Sequence, residues 1–227
     1  MKKYKSIIIL STLVFLCLNV SAQESKTGNW FIYFGNQALS KKVNLHNEIQ
    51  YRNYDFAGDL QQLLLRTGIG FNLSENNNNL LLGYGFIRSA NYIPTTDDKI
   101  IVDEHRIYQQ FITRQSFGRV NLQHRYRLEE RFLPNDFKLR FRYFLSINFP
   151  LNKLRMDKGA VYASAYNEIF LNSESPLFDR NRIYGAIGYV VSKHLRAEIG
   201  IMSQILEKNH RNQFQIVIFN NLPFINN

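Results

Sequence analysis

Residues 120–131 alternate with a period of two. Val120, Leu122, His124, Tyr126 and Leu128 share one face, and Asn121, Gln123, Arg125, Arg127, Glu129 and Arg131 share the other. Successive side chains of an extended strand point to opposite sides, so this spacing gives two chemically opposed faces, which a helix would not. The next segment repeats the pattern. Phe137, Leu139, Phe141, Tyr143, Leu145, Ile147 and Phe149 lie on one side, and Lys138, Arg140, Arg142, Ser146 and Asn148 on the other, with Phe144 the exception. A stripe of that length exceeds an average globular strand. In residues 43–51, Val43, Leu45, Ile49 and Tyr51 oppose Asn44, His46, Glu48 and Gln50, with Asn47 breaking the apolar face and the polar one running on to Arg52. Weaker alternation recurs over 60–73, 80–89, 102–115, 159–171, 180–191, 195–206 and 212–221. The spacing therefore predicts an all-β chain, an antiparallel meander of about ten strands.

Alternation alone does not distinguish a soluble barrel from a membrane barrel, because both have one apolar and one polar face. Strand length and charge favour the membrane. Each segment reaches the roughly 9–11 residues that a tilted strand needs to cross a bilayer. Tyr51, Tyr84, Phe86, Phe132, Phe137 and Phe149 would suit aromatic girdles at the two interfaces. An open sheet edge in hydrocarbon leaves backbone groups unpaired at several kcal/mol each, so closure is expected: an antiparallel up-and-down transmembrane barrel. The polar connections at Ser74, Ser116 and Ser192 read as compact turns on one side, and 91–101 as a longer loop. Ten strands satisfy the even count of single-chain bacterial barrels. Residues 29–35, with Trp30, Ile32 and Phe34 on one face, are left over: a rim element, a segment in the lumen, or a strand of a twelve-stranded barrel.

The N-terminus sets the expected compartment. Lys2, Lys3 and Lys5 precede an apolar run from Ile7 to Val20, and Val20-Ser21-Ala22 is a small-residue cleavage signature. Residues 1–22 thus read as a signal peptide cleaved on export, and 23–227 as a single outer-membrane barrel domain. Cys17, the only cysteine, lies in the apolar run behind Phe15 and Leu16, which argues against lipid anchoring. No disulfide framework or zinc finger is available to the exported chain. The formal charge of +10 falls to about +7 without Lys2, Lys3 and Lys5. The arginines are spread over many strand faces rather than gathered in one stripe, which excludes a nucleic-acid partner. The expected partners are outer-membrane lipids and the outer-membrane assembly machinery, for which the aromatic stretch from Phe214 to Phe219 is a plausible signal.

The chain resembles an uncharacterised outer-membrane β-barrel family of Gram-negative bacteria, known only as a domain of unknown function, over nearly the whole exported length. The residues carrying the resemblance are Trp30, Glu48-Ile49-Gln50-Tyr51-Arg52, Gly83-Tyr84, Glu104-His105-Arg106 with Gln109-Gln110, His124 through Arg131, Arg140-Phe141-Arg142-Tyr143 and Asn167-Glu168. The resemblance implies an outer-membrane barrel and supplies no reaction.

The polar faces collect Glu48, Arg66, Glu104, Arg106, Arg114, Arg125, Arg127, Glu129, Arg131, Arg140, Arg142, Arg182, Arg196 and Glu198. Guanidinium groups pair bidentately with carboxylates, so a charge ladder across a narrow lumen is expected, with Glu48, Arg66, Glu104, Arg106, Arg125, Arg127, Glu129, Arg131, Arg140, Arg142 and Arg182 as its members. The role expected is structural or permeability-related. An excess of arginine would alternatively suit a narrow anion-favouring pore. A lipid hydrolase is the third reading, with His105 and His124 on outward faces and Ser116 and Ser164 as possible nucleophiles. Glu129-Glu130 and Glu104-His105-Arg106 each put neighbouring side chains on opposite faces, so neither makes a catalytic pair or a chelate. No catalytic residue, cofactor or metal is assigned.

Overall fold

The computed structural model describes residues 27–74 and 77–224, so the segment 1–22 expected to be a signal peptide, with Cys17, lies outside the described residues. Among the described residues the chain forms eleven strands and no helix. They are β1 (Gly28–Ala38), β2 (Val43–Asn53), β3 (Leu60–Asn72), β4 (Asn78–Tyr92), β5 (Lys99–Phe117), β6 (Val120–Leu133), β7 (Asp136–Pro150), β8 (Val161–Asn172), β9 (Phe178–Val190), β10 (Leu195–Ile205) and β11 (His210–Asn220). Each strand pairs antiparallel with the next, and the sheet closes on itself into a barrel. β2 to β11 are the ten strands that the alternation marks out.

The closing seam differs from expectation. Residues 29–35 belong to a full strand, β1, which pairs antiparallel with β2 and parallel with β11 over Gly28↔Gln213 to Gly35↔Asn220. The count is odd because β1 and β11 run in the same direction, so the chain enters the barrel at one end and leaves at the other. An even count follows only if both terminal strands meet antiparallel. The parallel seam still pairs the backbone groups of both edges, which is what closure demands. The 91–101 loop is also shorter than expected, because the hairpin continues through Asn91↔Ile100 and Tyr92↔Lys99, leaving only 93–98 outside it.

The turns near Ser74, Ser116 and Ser192 share one end of the barrel with the end of β11, here the C-terminal end. The longest connection, 151–160, lies at that same end. The outer surface is apolar on every side: Ile49, Leu65, Leu82, Ile107, Tyr126, Phe141, Ile147, Ile187, Ile199 and Ile218 are all exposed. Its polar groups pair locally, as where the Thr67 hydroxyl donates to Asn47 Oδ1 (3.0 Å), Gln109 Nε2 to Glu130 Oε1 (3.0 Å) and Asn167 Nδ2 to Asn181 Oδ1 (2.7 Å).

Inside, two tyrosines fold over glycines on the facing strand: Tyr108 of β5 over Gly83, and Tyr162 of β8 over Gly188. Both rings are fully buried, and a β-carbon on either glycine would collide with the ring. Gly188→Val is therefore expected to displace Tyr162 and break the bond its hydroxyl donates to Glu198 (2.9 Å). Such overpacking costs about 1–3 kcal/mol, to be read as a lowered midpoint of denaturant unfolding in detergent.

Candidate functional site

The inward faces of β2 to β9 build a web of charge around Glu129, a β6 residue wholly shielded from solvent. Arg142 Nη1 reaches its carboxylate at 2.5 Å, Arg140 Nη2 at 2.6 Å, Arg66 Nη2 at 3.4 Å, Arg127 Nη1 at 3.6 Å and Arg106 Nη1 at 3.7 Å. Four further carboxylates extend it. Glu168 on β8 takes Arg125 (2.6 Å), Arg142 (2.7 Å) and Arg182 (4.0 Å). Glu104 takes Arg106 and Arg131, each at 2.6 Å, and Glu48 takes Arg66 at 2.9 Å. Arg140 also reaches Asp179 at 2.8 Å. Each of the eleven ladder candidates thus sits in one interior network. Its contacts cross the barrel, as from Arg66 on β3 to Glu129 on β6, rather than only stepping between adjacent strands.

Desolvating this much charge is costly unless geometry and extra hydrogen bonds compensate. Here Arg140, through Nε and Nη2, grips one Glu129 oxygen (3.1 and 2.6 Å) while Arg142 spans Glu129 and Glu168. Interior aromatics add a second support, since a guanidinium stacks on a ring face. Trp30 lies between Arg52 (3.8 Å) and Arg182 (5.0 Å). Phe170 meets Arg142 (4.4 Å), Arg182 (4.7 Å) and Arg140 (5.3 Å), and Tyr108 meets Arg127 (4.5 Å).

Arg52, Glu168, Asp179, Trp30 and Phe170 are members of this centre that the ladder of arginines and glutamates leaves out. Arg52 and Glu168 were findable, because Arg52 continues the polar face of β2 and Glu168 carries the resemblance motif. Phe170 was not. It shares the inward face of β8 with Tyr162, Ser164, Tyr166 and Glu168, a mixture without the contrast that alternation needs.

The web fills one part of the barrel, and a cavity of about 640 Å³ occupies the rest, opening at the C-terminal end among Ser116, Asn121, Lys193 and Asn221. Arg114, Arg125, Arg127, Arg142, Arg182 and Arg196 line it, against Glu48, Glu168 and Glu198. One wall is apolar: Trp30, Ile32, Tyr184 and Val217 form a buried cluster with Phe34 and Phe219 packed on it. Glu129, Glu104, Arg106, Arg131 and Arg140 are not part of the lining and stand beyond its floor. Among the described residues the cavity lining ends at the charge web.

The connections at the two ends carry opposite charge. At the open end lie Lys41, Lys42, Arg119, Lys153, Arg155, Lys158 and Lys193, with Asp157 the one carboxylate among the described connecting residues. At the plugged end lie Asp55, Asp59, Asp97, Asp98, Glu174 and Glu207, with Lys208.

The hydrolase candidates do not come together. Ser164 faces the cavity and Ser116 bonds Asn121 at the rim (2.9 Å). His105 and His124 point outward, to the hydroxyls of Tyr84 (2.6 Å) and Tyr143 (2.9 Å). Among the described residues no group of three or more His, Cys, Asp or Glu side chains could hold a metal ion.

The family described as Protein of unknown function (DUF2490) matches residues 27–215. The chain belongs to this family. No curated protein and no solved structure matches it. The matched span runs from the start of β1 into β11, so the charge web, Trp30 and the cavity arginines all fall within the family region. Val217 and Phe219 on the apolar wall lie just past it.

Proposed function

We propose that this family member is an outer-membrane barrel whose interior is a charge-cemented plug, serving as a non-conducting structural scaffold in the bilayer. The observation that carries this reading is the sorting of side chains. Ionised groups are sealed inside a closed sheet while large apolar residues cover its outside, a surface far more apolar than a soluble monomer exposes. Closure favours the same reading, because among the described residues every strand has a hydrogen-bonded neighbour on both sides. On the outer face Thr67 bonds Asn47 and Asn167 bonds Asn181, which lowers the cost of polar groups facing lipid. Contact with lipid headgroups at the basic end would add about 1 kcal/mol per Lys or Arg near an anionic surface.

The test is conductance. Purified protein in planar bilayers is expected to give no resolved steps, since Glu129 and its arginines fill the cross-section beyond the cavity. A narrow anion-favouring pore is the second reading, supported by six cavity arginines facing three carboxylates. Anion-selective steps from the unaltered protein would establish it and overturn the plugged scaffold.

A further inference from the structure

We propose that the cavity is a binding site for an amphipathic anion, its acidic head held between Arg114 and Arg196 near the open end and its apolar tail laid along the wall toward Trp30.

Most interior arginines are committed to carboxylates, and these two are not. Among the described residues no carboxylate lies within ion-pair distance of Arg114 or Arg196. Arg114 Nε donates only to the neutral Gln123 (3.0 Å). Arg196 rests on the ring of Phe219 (4.1 Å), and its Nε is buried without a hydrogen-bond partner. They stand on β5 and β10, separate walls of one cavity. A buried guanidinium donor without an acceptor is costly, and an anionic head would supply that acceptor.

The tail side is as specific. Phe219 stacks on Phe34 (centroids 5.3 Å apart), and beyond them Ile32, Val217 and Trp30 continue an apolar strip. A small inorganic anion would leave that strip unused, whereas a neutral lipid would leave both guanidinium groups unanswered. The cavity volume falls within the range of small-molecule sites. The basic connections surround its mouth, so the field there draws anions toward the opening and away from the acidic opposite end.

Trp30, the single tryptophan of the chain, makes the site its own reporter. Full-length protein folded in dodecyl maltoside is titrated with ω-bromododecanoic acid, whose bromine quenches tryptophan on contact, and in parallel with neutral ω-bromododecanol. Saturable quenching by the acid, weakened by added salt, is expected, with far less from the alcohol. Arg196→Gln and Arg114→Gln should each raise the apparent Kd about tenfold, the loss of one charged hydrogen bond. Arg196→Lys should recover part of the binding. Both positions lie outside the ion-pair web, and the heat-resistant gel band verifies that each variant folds. Dodecanoic acid and dodecyl phosphate as unlabelled competitors rank carboxylate against phosphate heads. Equal quenching by acid and alcohol, absence of a salt effect, or full binding by both glutamine variants would overturn the proposal. None of these outcomes depends on whether the barrel conducts.

Discussion

Glu129→Gln is expected to be the most damaging single change in the barrel, costing about 3–5 kcal/mol because it removes the only charge around which five guanidinium groups converge. The substitution keeps the side-chain volume, so packing loss cannot account for the effect. Arg140 and Arg142 lose their closest counter-charge at 2.6 and 2.5 Å, at a position shielded from solvent. The measurement is the temperature at which the folded, heat-resistant gel band disappears, with the denaturant midpoint alongside. Arg127→Leu makes the comparison. Arg127 stands 3.6 Å from Glu129, is held mainly by the neutral Gln110 (2.9 Å) and belongs to the charge in excess. Its loss should therefore lower stability by a clearly smaller amount. If Glu129→Gln leaves heat resistance unchanged, the web contributes nothing to holding the barrel shut.

How far such a web can be read from a sequence depends on contrast between the two faces of each strand. In β6 and β7 the contrast is nearly complete, so the inward set from Arg125 to Arg142 is legible residue by residue. β1, β8 and β11 lack it, because their inward faces carry Trp30, Ile32, Phe170, Val217 and Phe219 among polar residues, and an apolar residue facing in looks like one facing lipid. The apolar wall of the cavity therefore stayed hidden, and β1 could not be assigned its place. Partner choice was beyond reach for a related reason. Alternation tells which side Arg66 faces, but its contact with Glu129 spans strands three apart in sequence order and depends on barrel curvature. The polarity of the ends, by contrast, was available: connections alternate between ends, and sorting Lys41, Lys153 and Lys193 from Asp55, Asp97 and Glu207 needs only the strand order.

Leu128→Arg is expected to produce the largest effect on the outer face, beside the residue that matters most inside. Leu128 and Glu129 are adjacent in β6, so their side chains leave the sheet in opposite directions. Leu128 lies across from Gln109 on β5 and Phe141 on β7, on the outer face that it shares with Glu130. An arginine facing lipid near the midplane costs about 2–4 kcal/mol. At about 1.4 kcal/mol per factor of ten, folding into liposomes should drop roughly thirtyfold to several hundredfold relative to Leu128→Ala. The folded fraction is read from protease protection after urea dilution into vesicles, and again in dodecyl maltoside, where the head can reach the micelle surface and the penalty should shrink. A loss that is equal in vesicles and micelles would mean that position 128 packs against protein rather than lipid. Arginine is thus accommodated at 127 and expected to be rejected one residue further along the chain. On the proposed membrane reading that difference has no origin in the residue itself, only in which side of a single sheet faces the hydrocarbon.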